Sequence, residues 1–236
     1  MPTLVPIPLL SIVTHVYDQP AAVARHVAFW KSLPRELSQH IEFICVDDFS
    51  AEPLAIEREH LNLRLFRVID DIDWNMPGCK NLGAFMARAD WLLFFDIDAM
   101  CDAQALLKIV TNLSQLDGKT LYNFRRIENG VDVDPHINTL LMTKRGYFAA
   151  GGMDEDFSGH YGYEDVHFHH MWRHHVGGEV LFTDIAFEQL KVRTESLNRD
   201  TERNQALVNH KILVQGYQSS VGKLRFRWTE QNTEAA

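Results

Sequence analysis

Four runs of the sequence, LLSIVTHVY, IEFICV, LRLFRVI and WLLFF, are apolar almost without a break. A strand with one wet face alternates apolar and polar residues, so unbroken runs of this length read as strands covered on both sides. Between them, QPAAVARHVAFWKSL sets Val23, Val27 and Trp30 at helical spacing, and GCKNLGAFMARA places Leu82, Phe85, Met86 and Ala89 on one helical face. Strands and helices in alternation build an α/β fold with a mostly parallel sheet and helices on both faces. Ligands of such sheets bind at the carboxyl ends of the strands.

Charged residues stand where that rule puts the site. Asp47 and Asp48 close the second run; Asp96 and Asp98 follow WLLFF. An extended chain turns alternate side chains the same way, so Asp96 and Asp98 present two carboxylates to one side. Paired hard oxygen donors suit Mg²⁺ or Mn²⁺, ions that bridge to the phosphates of a substrate. A solvated turn and cap before the helix AQALLKIV would explain the same pair.

Composition narrows the partners. Twenty-three Lys and Arg against thirty-two Asp and Glu give a net charge of -9, which argues against a chain that grips nucleic acid through bulk charge. A phosphate bound by so acidic a protein needs local help, such as a metal ion. Cys45, Cys79 and Cys101 lack the spacing of a zinc site or disulfide framework. No apolar run reaches the length of a membrane span, and prolines interrupt the apolar start. The expected location is the cytoplasm. No repeat occurs, and only the tail TEQNTEAA reads as disordered.

From about Leu9 to Gly178 the chain resembles the GT-A type glycosyltransferases, particularly glycosyltransferase family 2 and the related galactosyltransferases. ICVDDFS looks like the strand end that contacts the nucleotide, MPGCKNLGAFMARADWLLFFDID like the helix leading into the metal-binding DxD, and GGMDEDFSGHYGYEDVHF like the acceptor-side segment. The resemblance implies a single GT-A domain with a Rossmann-like mixed, mostly parallel sheet. Residues 1–129 would form the nucleotide-sugar half, and 130–236 the acceptor and catalytic half. It implies a nucleoside-diphosphate sugar donor, with UDP favoured, and transfer of a hexosyl or N-acetylhexosaminyl group to a hydroxyl on a glycan or other acceptor. Asp47 or Asp48 would contact base or ribose, Asp96 the ribose or a metal-bound water, and Asp98 the Mn²⁺ or Mg²⁺ ion on the diphosphate. Lys80 and Arg88, with Arg125 and Arg126, are candidates to assist the phosphates; solvated surface charge is the alternative for each. Tyr17 or His15 would stack on the base, and Trp74 and Asn75 lie on the loop into the donor-binding helix. With no membrane segment, the enzyme would be soluble or recruited by partners to a lipid-linked glycan at the cytoplasmic face.

Glu164 and Asp165 occupy the place of the family's Glu-Asp pair beside the acceptor hydroxyl. An inverting displacement needs a general base there; Asp165 is the expected base, and Glu164 would hold an acceptor or donor-sugar hydroxyl. First-turn acids favoured by the helix dipole are the alternative. GGMDEDF and HFHHMWRHHVGG also resemble retaining N-acetylgalactosaminyltransferases, which need no such base. In LNRDTERN, Leu197 stands where galactosyltransferases carry a metal-binding histidine, so His210 from the helix ERNQALVNHKIL is the candidate replacement ligand, and Arg199 or Lys211 could reach the diphosphate.

Other functions are to be weighed. His160, His167, His169, His170, His174 and His175 crowd one stretch, and His167, His170 and His174 share a helical face; three imidazoles there could bind zinc as in a metallohydrolase, although HExxH is absent. A nucleotidyltransferase would carry a glycine-rich basic loop after the first strand, and THVYDQPAAVARH is not one. A noncatalytic nucleotide- or sugar-binding module would not need Asp96, Asp98, Glu164 and Asp165 together.

Overall fold

The computed structural model describes residues 7–192, 198–219 and 222–233. The apolar runs form β1 (Leu10–Val16), β2 (Ile41–Asp47), β3 (Leu63–Val68) and β4 (Trp91–Phe94), and α1 (Pro20–Ser32), α2 (Arg35–Ser38) and α3 (Met76–Met86) connect them. There follow β5 (Ala99–Met100), α4 (Ala103–Asn112), β6 (Leu121–Glu128), β7 (Val131–Val133), β8 (Leu140–Thr143), α5 (Lys144–Ala149), α6 (Glu164–His175), β9 (Glu179–Gln189), α7 (Glu202–Leu213) and β10 (Trp228–Gln231). One mixed sheet runs β10-β3-β2-β1-β4-β8-β6-β9-β5, with β7 paired to β6. Its centre, β3-β2-β1-β4, is parallel, whereas β8 lies antiparallel to β4 and to β6, and β10 antiparallel to β3.

Both faces are covered, as the unbroken apolar runs require. Ile12, Phe43 and Leu93 pack with Val23, Val27 and Trp30 of α1 and Ile109 of α4 on one side. Their neighbours Val13, Ile44 and Phe94 pack with Cys79 and Leu82 of α3 and Phe168 and Trp172 of α6 on the other. The period-two alternation of a strand thus feeds two cores. Helix α3 is buried from Pro77 to Ala84, and a Cβ at Gly83 would come within 2.2 Å of Val13 Cγ1. That close approach to β1 carries Lys80 and Asn81 into the interior.

Two expectations change. Phe85 is 58% exposed and α3 stops at Met86, so Phe85 does not join the apolar face and Ala89 lies beyond the helix. Leu82 and Cys79, both fully buried, form the inward face of α3 instead. The first part of the tail is a strand: β10 takes the free edge of β3, and Glu230 holds Arg64 Nε at 2.7 Å.

Candidate active site

At the carboxyl ends of the parallel strands lies a cleft of about 520 Å³, into which His15, Tyr17, Asp48, Asp96 and Asp98 project from the first half of the chain, and His136, Asn138, Glu164 and Asp165 from the second. The Asp96–Asp98 segment is fixed from below. Thr14 Oγ1 donates to Phe95 O at 2.8 Å, and Nε2 of the buried His26 on α1 lies 3.0 Å from Ile97 O. Leu190 N donates to Asp98 O at 2.6 Å, which ties the end of β9 to the same turn.

Lys80 explains how a buried strand can end on charge. Its ammonium, 1% exposed, lies 3.1 Å from Asp96 Oδ1 and donates to Asn138 Oδ1 at 2.9 Å; Asn138 Nδ2 in turn donates to Asp165 Oδ2 at 3.3 Å. A polar chain therefore crosses the cleft from Asp96 to Asp165. Burial alone would raise the Asp96 carboxyl, but Lys80, His136 and His15 together hold it below its ordinary value. Burial, and then the Asp96 charge, push Asp98 up. Glu164, at the N-terminus of α6, is raised to about 8, first by burial and then by Asp165. Burial also lowers His15 to about 4, leaving it neutral, and raises Asp48 to about 7.

Among the described residues, one group of three brings metal-ligating atoms within 4.8 Å of one another: Asp96, Asp98 and His136. His136 Nδ1 lies 3.7 Å from Asp96 Oδ2 and His136 Nε2 3.9 Å from Asp98 Oδ1. His210, the expected ligand, is exposed on α7 and does not line the cleft; it faces outward because Val208 and Lys211 take the buried side of that helix. His136 replaces it. The loop VDPHIN carries no motif, and the Asp-Pro turn before His136 is its one local signal. Leu197 and the rest of 193–197 lie outside the described residues. The α6 histidines do not gather as a zinc site. His169 pairs with Glu179 at 3.1 Å and with Ile137 O, His174 stacks on Tyr217 at 4.3 Å, and His167 is buried beside Phe157.

Other expected residues are placed elsewhere. Asp47 is 1% exposed and accepts from Ser50 N, Leu54 N and Arg67, so it shapes the loop after β2 and does not reach the cleft, whereas Asp48 does. Arg88 is held by Glu42 and Asn62, and Arg125 by Asp132. Lys211 is buried between Asp154 and Asp156. Arg199 does line the cleft, its guanidinium 5.5 Å from the Trp74 ring, and Trp74 packs on Tyr161 at 4.6 Å. Asn75, 1% exposed, accepts from Ser158 at the start of α3 and does not line the cleft.

The wall ahead of α6 is held by two asparagines. Asn81 Oδ1 accepts from Tyr147 Oη and Met153 N while its amide donates to Met153 O and Glu155. The backbone at Gly152 is left-handed (φ 66°), and a Cβ there would stand 2.8 Å from Asn81 Oδ1, so only glycine fits. Asn204 of α7 donates to Phe157 O, His160 O and Gly162 O. Tyr163, the next residue, takes φ 69°, an uncommon backbone for tyrosine, and lines the cleft directly before Glu164.

The family model described as "Glycosyl transferase family 2" matches residues 11–168, more than half of the chain. The chain belongs to glycosyl transferase family 2. An uncharacterized glycosyltransferase of Haemophilus influenzae is 31% identical over 90 residues, a stretch that is 38% of this chain and 29% of that relative, under a third of its length. Among solved structures, S. aureus TarS (residues 1–349) superposes with a TM-score of 0.68 at 12% identity, covering 91% of this chain and 67% of TarS. The same protein in complex with UDP-GlcNAc gives 0.66 at 15% identity, covering 87% and 66%. At such identities these structures bear on the fold alone: a mixed α/β domain of the GT-A type, as expected for family 2.

Proposed function

We propose that this family 2 protein is a metal-dependent glycosyltransferase that moves a hexosyl or N-acetylhexosaminyl group from a nucleoside-diphosphate sugar, most simply a UDP-sugar, to a hydroxyl acceptor. The observation that carries this reading is the joining, in one cleft, of the Asp96–Asp98–His136 cluster to the Glu164–Asp165 pair through Lys80 and Asn138. Solved TarS complexes with UDP and UDP-GlcNAc in the same fold support the donor class.

The donor set fits a divalent ion. Two carboxylates and an imidazole converge, and Asp96 Oδ1 makes no well-aligned hydrogen bond. Lys80 already balances the Asp96 charge, so Asp98 and His136 would coordinate directly and Asp96 would act through a bound water or the ribose. Mg²⁺ prefers an all-oxygen set, and the imidazole favours Mn²⁺. When bound, such an ion stabilises the negative charge that grows on the departing diphosphate. Tyr17 and the neutral His15 offer faces to the base, with Asp48 at its edge. Arg199, held over Trp74 on the cleft wall, would meet a phosphate of the donor.

Asp165 is the base of an inverting displacement: it takes the proton of the attacking hydroxyl, and Asn138 holds one of its oxygens in place. Glu164, carrying its proton near neutral pH, can donate a hydrogen bond to a sugar oxygen. The three cysteines are free and buried, and we place the enzyme in the cytoplasm; no helix among the described residues is long and apolar enough to cross a membrane. The test is Asp165→Asn, assayed by turnover of a UDP-sugar with product anomer read by NMR. Turnover is expected to fall by about 10²-fold or more with donor binding unchanged, and the native product should carry the anomeric configuration opposite to the donor's. A retained anomer with near-normal turnover of the variant would favour a retaining transferase.

A further inference from the structure

Between the end of β4 at Phe94 and the start of β5 at Ala99 the chain leaves the sheet, so the carbonyls from Phe95 to Asp98 need partners other than a strand ladder. Each finds one. Phe95 O accepts from Thr14 Oγ1 of β1 at 2.8 Å, Asp96 O from Ala99 N at 2.9 Å, and Asp98 O from Leu190 N at 2.6 Å. Ile97 O, between the two aspartates, is met by Nε2 of His26 on α1 at 3.0 Å. A carbonyl oxygen only accepts, so Nε2 carries the ring proton and donates.

His26 is out of character with its surroundings. It is 0% exposed, and the other buried residues of α1, Ala22, Val23, Val27 and Trp30, are all apolar. Its ring stands edge-on to Phe95 at 5.2 Å and tilted against Trp30 at 5.8 Å, and burial lowers its pKa, so that at neutral pH it is an uncharged donor. A leucine would suit that helix face and would lose the donor. What the donor holds is the peptide that joins Ile97 to Asp98. The Ile97 side chain lines the cleft, so this peptide is part of the cleft floor. Rotation of its plane moves Asp98 relative to Asp96, and a set of ligands works only when held to within about 0.5 Å. We infer that His26 is a positioning residue for the divalent ion: from the helix beneath the cleft it sets the Asp98 carboxylate relative to Asp96. The inference rests on the metal reading above.

The experiment is calorimetric titration of UDP into the full chain at a series of Mn²⁺ concentrations, for the native protein and for His26→Leu, His26→Gln and His26→Asn. Glutamine carries an amide N–H at about the reach of Nε2, whereas asparagine ends at about the reach of Nδ1. His26→Leu and His26→Asn are expected to raise the Mn²⁺ concentration for half-maximal UDP binding on the order of tenfold, as loss of a group that orients metal ligands does, and His26→Gln to restore it. At saturating Mn²⁺ all three should bind UDP as the native chain does. A general loss of structure would instead weaken UDP binding at every Mn²⁺ concentration, and that outcome overturns the inference. So does a native Mn²⁺ requirement in His26→Leu, or the same requirement in His26→Gln and His26→Asn, a comparison that stands even if His26→Leu fails to fold. Native UDP binding indifferent to Mn²⁺ would remove the metal reading and the inference with it; native dependence on Mn²⁺ with unaltered variants would remove the inference alone.

Discussion

Asp96 and Asp98 stand two residues apart and are shifted in opposite directions, which shows how far environment outweighs residue type at this site. Lys80, driven inward by the tight seat of α3 on β1, holds Asp96 ionised, while Asp98 has no ammonium beside it and is raised by burial and by Asp96. Asp48 is the extreme case, raised to about 7 by burial with Oδ1 lacking a hydrogen-bond partner. Its folded value lies above the unfolded one, so its contribution to stability is fully present below about pH 4 and is lost as pH rises through about 7. Asp48→Asn removes that loss. Relative to the native chain the free variant should gain stability steadily from pH 4 to 7, at about 1.4 kcal/mol for each pH step of one, and hold the gain above that. Denaturant melts across this range check it; a pH-independent difference would mean that Asp48 is not buried as a neutral acid. The paired aspartates were legible in the sequence because each pair ends an apolar run. Lys80 as the partner of Asp96 was not, since nothing in GCKNLGAFM tells a buried lysine from a solvated one.

At the scale of elements, the parallel centre of the sheet could be read directly, since each of its strands is apolar on both faces. The outer strands could not. β9 leaves Val180 and Leu181 exposed along its first half, and β5 is two residues long, so neither shows a strand period. The helix ERNQALVNHKIL was visible as α7, but its task was not: its polar residue Asn204 turns inward to three carbonyls of the 157–162 segment, while His210 turns out. This clamp fixes the cleft wall that carries His160 and Tyr161. Asn204→Ala would strand those carbonyls and is expected to destabilise the protein by about 1–3 kcal/mol and to open the segment to protease cutting. A variant that melts with the native chain and resists the protease equally would show that α7 does not hold the wall.

Across the whole molecule, one sheet carries a site assembled from both halves of the chain, and that is why the site was only partly legible. Asp48, Asp96 and Asp98 and the Glu164–Asp165 pair sit in contiguous motifs. His136 and Asn138 come from a loop between β7 and β8 whose relation to Asp98 and Lys80 exists only after the antiparallel β8 has docked on β4. The chain is acidic overall, with a net charge of -9, and acidic side chains line the cleft, so the proposed function requires a cation at Asp98 and His136 before a diphosphate can settle there. Calorimetric titration of UDP in Mn²⁺ and in EDTA, on the native chain, Asp98→Asn, His136→Ala and His210→Ala, tests this most directly. Affinity should fall on the order of tenfold or more in EDTA, in Asp98→Asn and in His136→Ala, as expected for losing a cation contact of several kcal/mol, while His210→Ala binds as the native chain does. UDP binding that is equally tight in EDTA, or that survives His136→Ala in Mn²⁺, would contradict a metal-dependent nucleotide site.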